Sequence, residues 1–213
     1  MSVSASGRAQ LREVAQAEGA LPSSPTLADV LRGVVAGETW ADEALYDSLY
    51  PLVAAALQKV LHRPADYEDL VQTSFEHIVR TLYRPKAVEI QNLAAWVSTI
   101  AVRVALDAVR ARVRDRSLFE RETEALHVVD ATPGPELERQ IQARQELRWL
   151  QQQLGDMSGQ QAEVLVLHDV LGFELSEVAR ATESSPAAAQ KRLWRAHLEL
   201  RERALKRAKG GRA

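Results

Sequence analysis

The side chains best suited to binding nucleic acid lie near the C-terminus, on a predicted helix over residues 186–208. An apolar face of this helix is formed by residues at spacings of four, three and four: Ala189, Leu193, Ala196 and Leu200. The remaining side carries basic, amide and aromatic groups: Gln190, Lys191, Arg192, Trp194 and Arg195. Arginine and lysine can bond guanine edges or phosphates, and glutamine can bond adenine. The pattern therefore predicts a DNA-binding face, with Arg192 at its border and within reach of a phosphate.

The elements before this helix indicate how it is presented. A short helix is predicted over residues 175–182 and a turn over residues 183–185. Ser185 supplies a capping hydroxyl and Pro186 favours the first helical position, so together they predict a sharp helix start. A short helix, a tight turn and a longer basic helix make a helix-turn-helix, whose second helix presents its N-terminal part to the major groove. The alternative is a helical hairpin with a solvated basic face.

A second basic stripe is predicted on a helix over residues 92–114. Residues 103–116 contain five arginines against two aspartates, a net charge of +3: Arg103, Arg110, Arg112, Arg114 and Arg116 carry the positive charge. Such a stripe can bind the phosphate backbone of opened, single-stranded DNA, although a solvated helix face is the simpler interpretation. Trp96 falls within the apolar stripe of the same helix, which favours a core role for it.

A third candidate surface lies on the predicted helix over residues 66–82. Its apolar face leaves the polar residues Asp69, Gln72 and Glu76 on the other side. Acidic residues near a helix start are ordinarily explained by capping and solubility. The more specific interpretation is a docking face for a partner protein.

The sequence gives no sign of catalysis, and we expect no enzymatic activity, no cofactor and no metal. It contains no cysteine, no glycine-rich phosphate loop and no HExxH motif, and its five histidines are scattered. No stretch approaches the roughly 18 apolar residues of a membrane span, and the N-terminus lacks the pattern of a signal peptide. We therefore expect a cytoplasmic protein with no membrane insertion of its own. The formal net charge is −2, but the basic residues are concentrated in the two stretches described above.

Taken together, the patterns predict an all-α chain of two small helical domains joined by an acidic flexible linker. Residues 1–37 are predicted to form an N-terminal extension, flexible or loosely attached over its first part. The first domain is predicted over residues 38–116, and the linker over residues 117–136 contains five acids against one arginine. The second domain, with the helix-turn-helix, is predicted over residues 137–208, followed by a tail over residues 209–213.

These segments resemble the extracytoplasmic-function group of bacterial RNA polymerase sigma factors. The segment DYEDLVQTSFEHIVRTL (66–82) is similar to the part of region two that docks on polymerase, and LAAWVSTIAVRVALDAVRARVR (93–114) to the helix that melts and reads the minus-ten element. LGFELSEVARATESSPAAAQKRLWRAHLELRER (171–203) resembles region four, which reads the minus-thirty-five element. Glu183 and Ser184 stand where the family usually has glycine and an apolar residue, so the turn is expected to differ locally.

The resemblance implies a function and a set of partners. It implies binding to core RNA polymerase, recognition of a duplex upstream element and a single-stranded minus-ten element, promoter opening, and control by an anti-sigma factor. In this assignment Asp69, Gln72 and Glu76 dock, Leu70 and Phe75 pack, and residues 83–92 capture a flipped base. Two rival hypotheses are a helix-turn-helix regulator that binds duplex DNA alone and a sigma-like adaptor without promoter activity.

Overall fold

The computed structural model describes residues 27–62, 64–82, 92–122 and 135–210, and every regular element in these ranges is a helix. The N-terminal half contains α1 (Leu27–Ala36), α2 (Thr39–Leu61), α3 (Tyr67–Leu82) and α4 (Leu93–Glu122). The C-terminal half contains α5 (Pro135–Asp156), α6 (Gly159–Leu165), a π-helical turn (Val166–Val170), α7 (Leu175–Ala181) and α8 (Pro186–Gly210). The predicted all-α class is confirmed.

The N-terminal half is built around α2 and α4, which pack against each other, with α1 on α2 and α3 on α4. Its core is aliphatic, and its largest fully buried side chains include Leu45, Leu49, Leu57, Ile78 and Leu106. On α2 the buried Leu45, Leu49, Val53 and Leu57 recur every four positions, so this helix turns an apolar stripe inward. The stripe on α4 includes Trp96, which is partly buried against the core as predicted.

The structure changes the predicted bounds of the N-terminal extension and of the linker. Val30 and Val34 of α1 are buried, so the last part of the predicted N-terminal extension is a helix packed on the first half. Helix α4 continues to Glu122 and α5 begins at Pro135, so both ends of the predicted linker are helical. A solvated helix end needs good helix formers but no apolar repeat, and we had inferred the linker from the missing repeat. Residues 1–26, 83–91, 123–134 and 211–213, which carry the remaining predictions for the extension, the base-capturing loop, the linker and the tail, lie outside the described residues.

The C-terminal half begins with α5 and ends with the helix pair α7–α8. Helix α8 packs against α6 and α7, which brings the predicted helix-turn-helix together. Helix α6 widens into a π-helical turn after Leu165, where the N–H of Leu171 donates to the carbonyl oxygen of Val166 at 3.0 Å. A π-turn of this kind is often found beside functional residues.

The two halves also pack on each other. Helix α4 contacts α5, α6 and α7, and one continuous hydrophobic cluster includes residues of both halves, such as Val109 and Met157. The side chain of Val113 approaches the backbone of Gly155 so closely that a Cβ there would lie 3.0 Å from it. The predicted arrangement of two separate domains on a flexible linker did not anticipate this packing.

Candidate nucleic-acid interface

The helix-turn-helix is held by a small apolar center. Val178 and Ala179 of α7 are buried, and so are Ala189, Leu193 and Ala196 of α8, as the spacing of the α8 residues predicted. The hydroxyl oxygen of Ser185 accepts the backbone N–H of Ala188 at 3.2 Å, which is the predicted helix cap. At the start of α7, the Glu177 carboxylate accepts the backbone N–H of Glu174 at 3.0 Å. These contacts fix where α8 starts and therefore which of its side chains face outward.

The turn between α7 and α8 has the backbone conformation that favours glycine. Glu183 has a φ of 51°, in the left-handed region, where a side chain is strained. The turn is closed by the backbone N–H of Ser184, which donates to the carbonyl oxygen of Ala179 at 2.8 Å. The hydroxyl of Thr182 also donates to the carbonyl oxygen of Val178 at 2.8 Å. These local hydrogen bonds hold a helix-turn-helix turn without the usual glycine.

Replacing the strained residue by glycine should stabilise the protein. For Glu183→Gly we expect a gain of about 0.5–1 kcal/mol in the free energy of unfolding, since relief of left-handed strain slightly exceeds the entropy cost of glycine. The opposite change, Gly172→Ala, removes a glycine at a φ of 81° and should cost about 1 kcal/mol. Denaturant titration of both variants measures the two shifts, and a loss of stability in Glu183→Gly would contradict the strain argument.

The outward face of α8 carries the side chains predicted to read DNA. Gln190, Lys191 and Arg195 are exposed, and Trp194 is 62% exposed, the most exposed of the large hydrophobic residues described. Arg192 is half-buried at the edge of this face, and its charge acts against the burial that raises the pKa of Glu163 on α6. The structure therefore brings four of the five predicted residues onto an open surface and turns the fifth towards the interior.

Helix α8 is anchored at its far side by a carboxylate between two histidines. Asp169 of the π-helical turn accepts hydrogen bonds from His168 at 2.7 Å and from His197 of α8 at 2.5 Å. Burial alone would raise the pKa of Asp169, but the hydrogen bonds from His197 and His168 outweigh it and lower that pKa below its usual value. The π-turn thus orients the carboxylate that holds α8, a link that the scattered histidines of the sequence gave no reason to expect.

The predicted docking face on α3 is open. Asp69, Gln72 and Glu76 are exposed, and the amide of Gln72 donates to the carboxylate of Glu76 at 3.1 Å. On the other side of the helix Leu70 and Phe75 pack against the core, and the Phe75 ring stacks on Tyr46 at a centroid distance of 4.5 Å. The polar residues therefore project from a helix whose opposite face is packed against the core.

The arginines predicted on α4 do not form one free stripe. The Nε of Arg103 donates to Glu163 of α6 at 2.6 Å, and Arg110 donates to Asp107 at 2.9 Å. Arg112 donates a hydrogen bond to the carboxylate of Asp66, which lies just before α3. Arg114 is exposed but also interacts with another group, and Arg116 is half-buried. Part of the predicted single-strand surface therefore faces other protein groups in this conformation.

Glu163 is a functional candidate that the sequence analysis missed. Its side chain is only 10% exposed, and burial raises its pKa although Arg103, Arg192 and Arg110 act to lower it. The sequence signal was an acid directly beside an apolar run, AEVLVL (162–167), where a solvated acid is not expected. Charged residues are rarely buried unless they are paired, so such an acid predicts a basic partner.

A small basic cavity lies between α3 and α4. It has a volume of about 230 Å³ and is lined by His77, Arg80, Thr81, Ile100 and Arg103. Two guanidinium groups, an imidazole and a hydroxyl make it suitable for an anionic group such as a phosphate. His77, Arg80 and Thr81 come from α3 and Ile100 from α4, and of the lining residues the sequence indicated only Arg103 as a DNA-binding candidate. Within the described residues no cluster of potential metal ligands is found, and none of the described helices is long and apolar enough to cross a membrane.

Comparison with known proteins matches each half of the chain to a described protein family. The family model Sigma-70 region 2 matches residues 45–115, and Sigma-70, region 4 matches residues 147–200, so the two predicted helical domains are confirmed. RNA polymerase sigma factor CarQ from Myxococcus xanthus is 30% identical over 164 residues, which cover 76% of this chain and 88% of CarQ. A solved structure of CnrH in complex with the cytosolic domain of CnrY is 21% identical, with a TM-score of 0.49, and the match covers 84% of this chain and 96% of that one.

Proposed function

The chain belongs to the sigma-70 family, in its extracytoplasmic-function group, and directs transcription initiation by RNA polymerase; from this premise we propose which surface performs each step. Residues 38–116 form region two, residues 137–208 form region four, and residues 117–136 connect them. The observation that carries the proposal is that one chain exposes two different faces, an acidic and amide face on α3 and a basic face on α8. The first fits a protein partner and the second fits duplex DNA.

Helix α8 reads the duplex upstream element. Its exposed Lys191 and Arg195 can reach guanine edges or phosphates, and Gln190 can pair with adenine in the major groove. The Trp194 ring lies among these groups and is 62% exposed, so it can contact a thymine methyl or a sugar without unfolding anything. The hydroxyl cap at Ser185 and the anchor at Asp169 support this role, because they keep the helix in one orientation.

Region two docks on core polymerase and holds the opened strand. Asp69, Gln72 and Glu76 dock through α3, and Arg103, Arg110, Arg112, Arg114 and Arg116 on α4 contact the strand. The basic cavity supports the second of these roles, because His77 and Arg80 of α3 line it together with Arg103 of α4. A backbone phosphate of the minus-ten strand fits the charge and the size of that cavity.

The proposed regulator and cellular compartment follow from the assignment of the chain to the sigma-70 family. We assign the chain no catalytic residue, because bond formation belongs to the polymerase. An anti-sigma factor that covers both domains is the proposed regulator, and the cytoplasm is the proposed compartment. The acidic residues of the connecting segment repel nucleic acid, which keeps that segment displaceable within the polymerase.

Run-off transcription tests the proposed function against both rivals. With core polymerase and the promoter of its own gene, the chain should start transcription, whereas the free chain should bind the same duplex weakly. Tight, specific duplex binding without polymerase would instead indicate a conventional regulator. Co-purification with polymerase without promoter opening would indicate an adaptor.

A further inference from the structure

Two histidines share one carboxylate behind the outward face of α8, within the C-terminal half. The Nδ1 of His168 lies 2.7 Å from one oxygen of Asp169, and the Nε2 of His197 lies 2.5 Å from the other. His168 and Asp169 belong to the π-helical turn, whereas His197 belongs to α8. His168 therefore orients the carboxylate, and the His197–Asp169 contact joins the π-helical turn to α8.

The contact made by His197 lies next to the side chains proposed to read DNA. Residues 190–195 of α8 follow the helix cap at Ser185, and His197 comes two positions after them. Two further polar contacts of α8, made by Arg203 and Arg207 with α5, lie at least six positions beyond His197. Since six residues of helix span about 9 Å, the contact of His197 is better placed than either to set how residues 190–195 are presented.

Both imidazoles can take up a proton without breaking their bonds to Asp169. Each ring uses one nitrogen on the carboxylate, so its other nitrogen can accept a proton from solvent, to which the side chains are 37% and 51% exposed. A histidine side chain ordinarily changes charge near pH 6.5. An imidazolium binds a carboxylate more strongly than a neutral imidazole does, because opposite charges attract.

Asp169 stays ionised while the histidines titrate. Burial acts to raise the pKa of Asp169, but the hydrogen bonds and charges of His197 and His168 outweigh burial and lower that pKa below its usual value. The carboxylate therefore remains an acceptor at neutral and mildly acidic pH, where only the histidines change charge. The His197–Asp169 contact is accordingly strongest below the titration range of histidine and weakens as the pH rises through it.

The helices packed around this site have charged groups that bond elsewhere. These contacts are those of Glu163 with Arg103 of α4, of Glu177 with the backbone of Glu174, and of Lys59 on α2 with the carbonyl oxygen of Val170. On α8 itself, Arg201 lies one turn beyond His197 and keeps its charge throughout this range. The charges that act on Asp169 are those of the two histidines.

We infer that the His197–Asp169 contact is a proton-dependent link that sets the orientation of α8, so that recognition of the duplex upstream element strengthens as the pH falls through the titration of histidine. The inference rests on the proposed function in assigning the outward face of α8 to duplex DNA. When His197 is neutral, α8 is held less firmly, and DNA binding must also order the helix, which lowers the affinity. Asp169 and His197 are thus positioning residues that act through the side chains of residues 190–195.

The test measures how strongly initiation depends on the upstream element as the pH changes. Run-off transcription with core polymerase is compared between the promoter of its own gene and the same promoter with a scrambled upstream element. The ratio of the two yields cancels the pH dependence of the polymerase itself. For the parent chain, this ratio should be about threefold larger at about pH 6 than at about pH 8, as expected for a partly exposed ion pair.

Three variants assign the effect to this contact. His197→Arg carries a permanent charge and should give the high ratio at every pH, whereas His197→Asn does not titrate and should give the low ratio at every pH. Asp169→Asn removes the carboxylate while His197 still titrates, so the ratio should lose most of its pH dependence. The matched control is His62→Asn, which removes an exposed imidazole from the N-terminal half at a φ of 53°, where asparagine is tolerated. It should behave as the parent does.

Thermal melting of the free chain tests the same contact without DNA or polymerase. Between about pH 8 and about pH 6, the melting temperature of the parent should rise by about 2 °C relative to that of His197→Asn. At about pH 8, His197→Arg should melt at a higher temperature than His197→Asn, because only the first keeps a charged partner for Asp169. This comparison decides between a link inside the protein and a direct DNA contact even if circular dichroism shows that Asp169→Asn is unfolded.

The outcomes separate this inference from the proposed function. A ratio that does not change with pH in the parent would overturn the inference. So would a folded Asp169→Asn variant that keeps the full pH dependence, or equal melting of His197→Arg and His197→Asn, because His197 would then act on DNA directly. Failure of the parent to initiate at any pH would count against the proposed function while leaving the melting result intact.

Discussion

A Lys191→Ala, Arg195→Ala double variant is expected to lose at least about thirtyfold in transcription from a promoter that depends on its upstream element. Both side chains are exposed on α8 and have no described ion pair, so their removal leaves the fold intact. Loss of an arginine or lysine that contacts a base edge costs about 1–3 kcal/mol. The slope of log affinity against log salt should fall by up to about 0.9 for each phosphate contact removed.

Arg192 is left unchanged in this test because its charge also acts on the buried Glu163, so its removal would combine a loss of DNA contact with a change inside the protein. The matched control is Arg201→Ala, Lys206→Ala, which removes the same charge from exposed positions further along the same helix. Since ten residues of helix span about 15 Å, these side chains lie beyond the part of a recognition helix that enters the groove. Equal losses in the two double variants would mean that α8 contributes only net charge.

Reversal of charge on the docking face should abolish polymerase binding. For Asp69→Lys, Glu76→Lys we expect at least about a hundredfold loss of affinity for core polymerase, because like charges brought together across an interface cost several kcal/mol. Both residues are exposed, and only Asp69 lies in the first turn of α3, where an acid stabilises the helix by up to about 1 kcal/mol. Competition with a labelled parent chain for core polymerase measures the loss.

The control for this experiment places the same charges elsewhere on region two. Glu43→Lys, Asp47→Lys alters two exposed acids on α2 and should leave the affinity for polymerase within about threefold of the parent. Thermal melting of both variants excludes unfolding as the cause. If the two double variants bind polymerase equally well, α3 is not the docking helix.

The sequence was most informative about properties that depend on a single helix and its adjoining turn. Ala189, Leu193 and Ala196 were predicted to face inward from spacing alone, and they are buried. The missing glycine at residue 183 marked the turn as a place of strain, although the turn was expected to differ locally and instead keeps a positive φ at Glu183. Period and turn chemistry are local properties, so they can be read without knowing what the helix packs against.

Contacts between distant helices could not be predicted in this way. Arg103 and Glu163 are 60 positions apart, and their pairing depends on how α6 crosses α4. Periodicity placed Arg103 outside the apolar stripe but could not say which group it would meet. The same gap explains why the packing between the two predicted domains was not anticipated, since the shared cluster is formed by side chains such as Val109 and Met157 that also suit an ordinary domain core.

The helical end of α4 sets a limit on how far the two DNA-reading units can move apart. Helix α4 ends at Glu122 and α5 begins at Pro135, so 13 peptide links join them. Even fully extended, that length of chain spans on the order of 45 Å, or about 13 base pairs of duplex at roughly 3.4 Å per step. The connecting segment therefore limits the distance between the two promoter elements that one molecule can bridge. Lengthening this segment should relax the preference for one element spacing without altering either recognition surface.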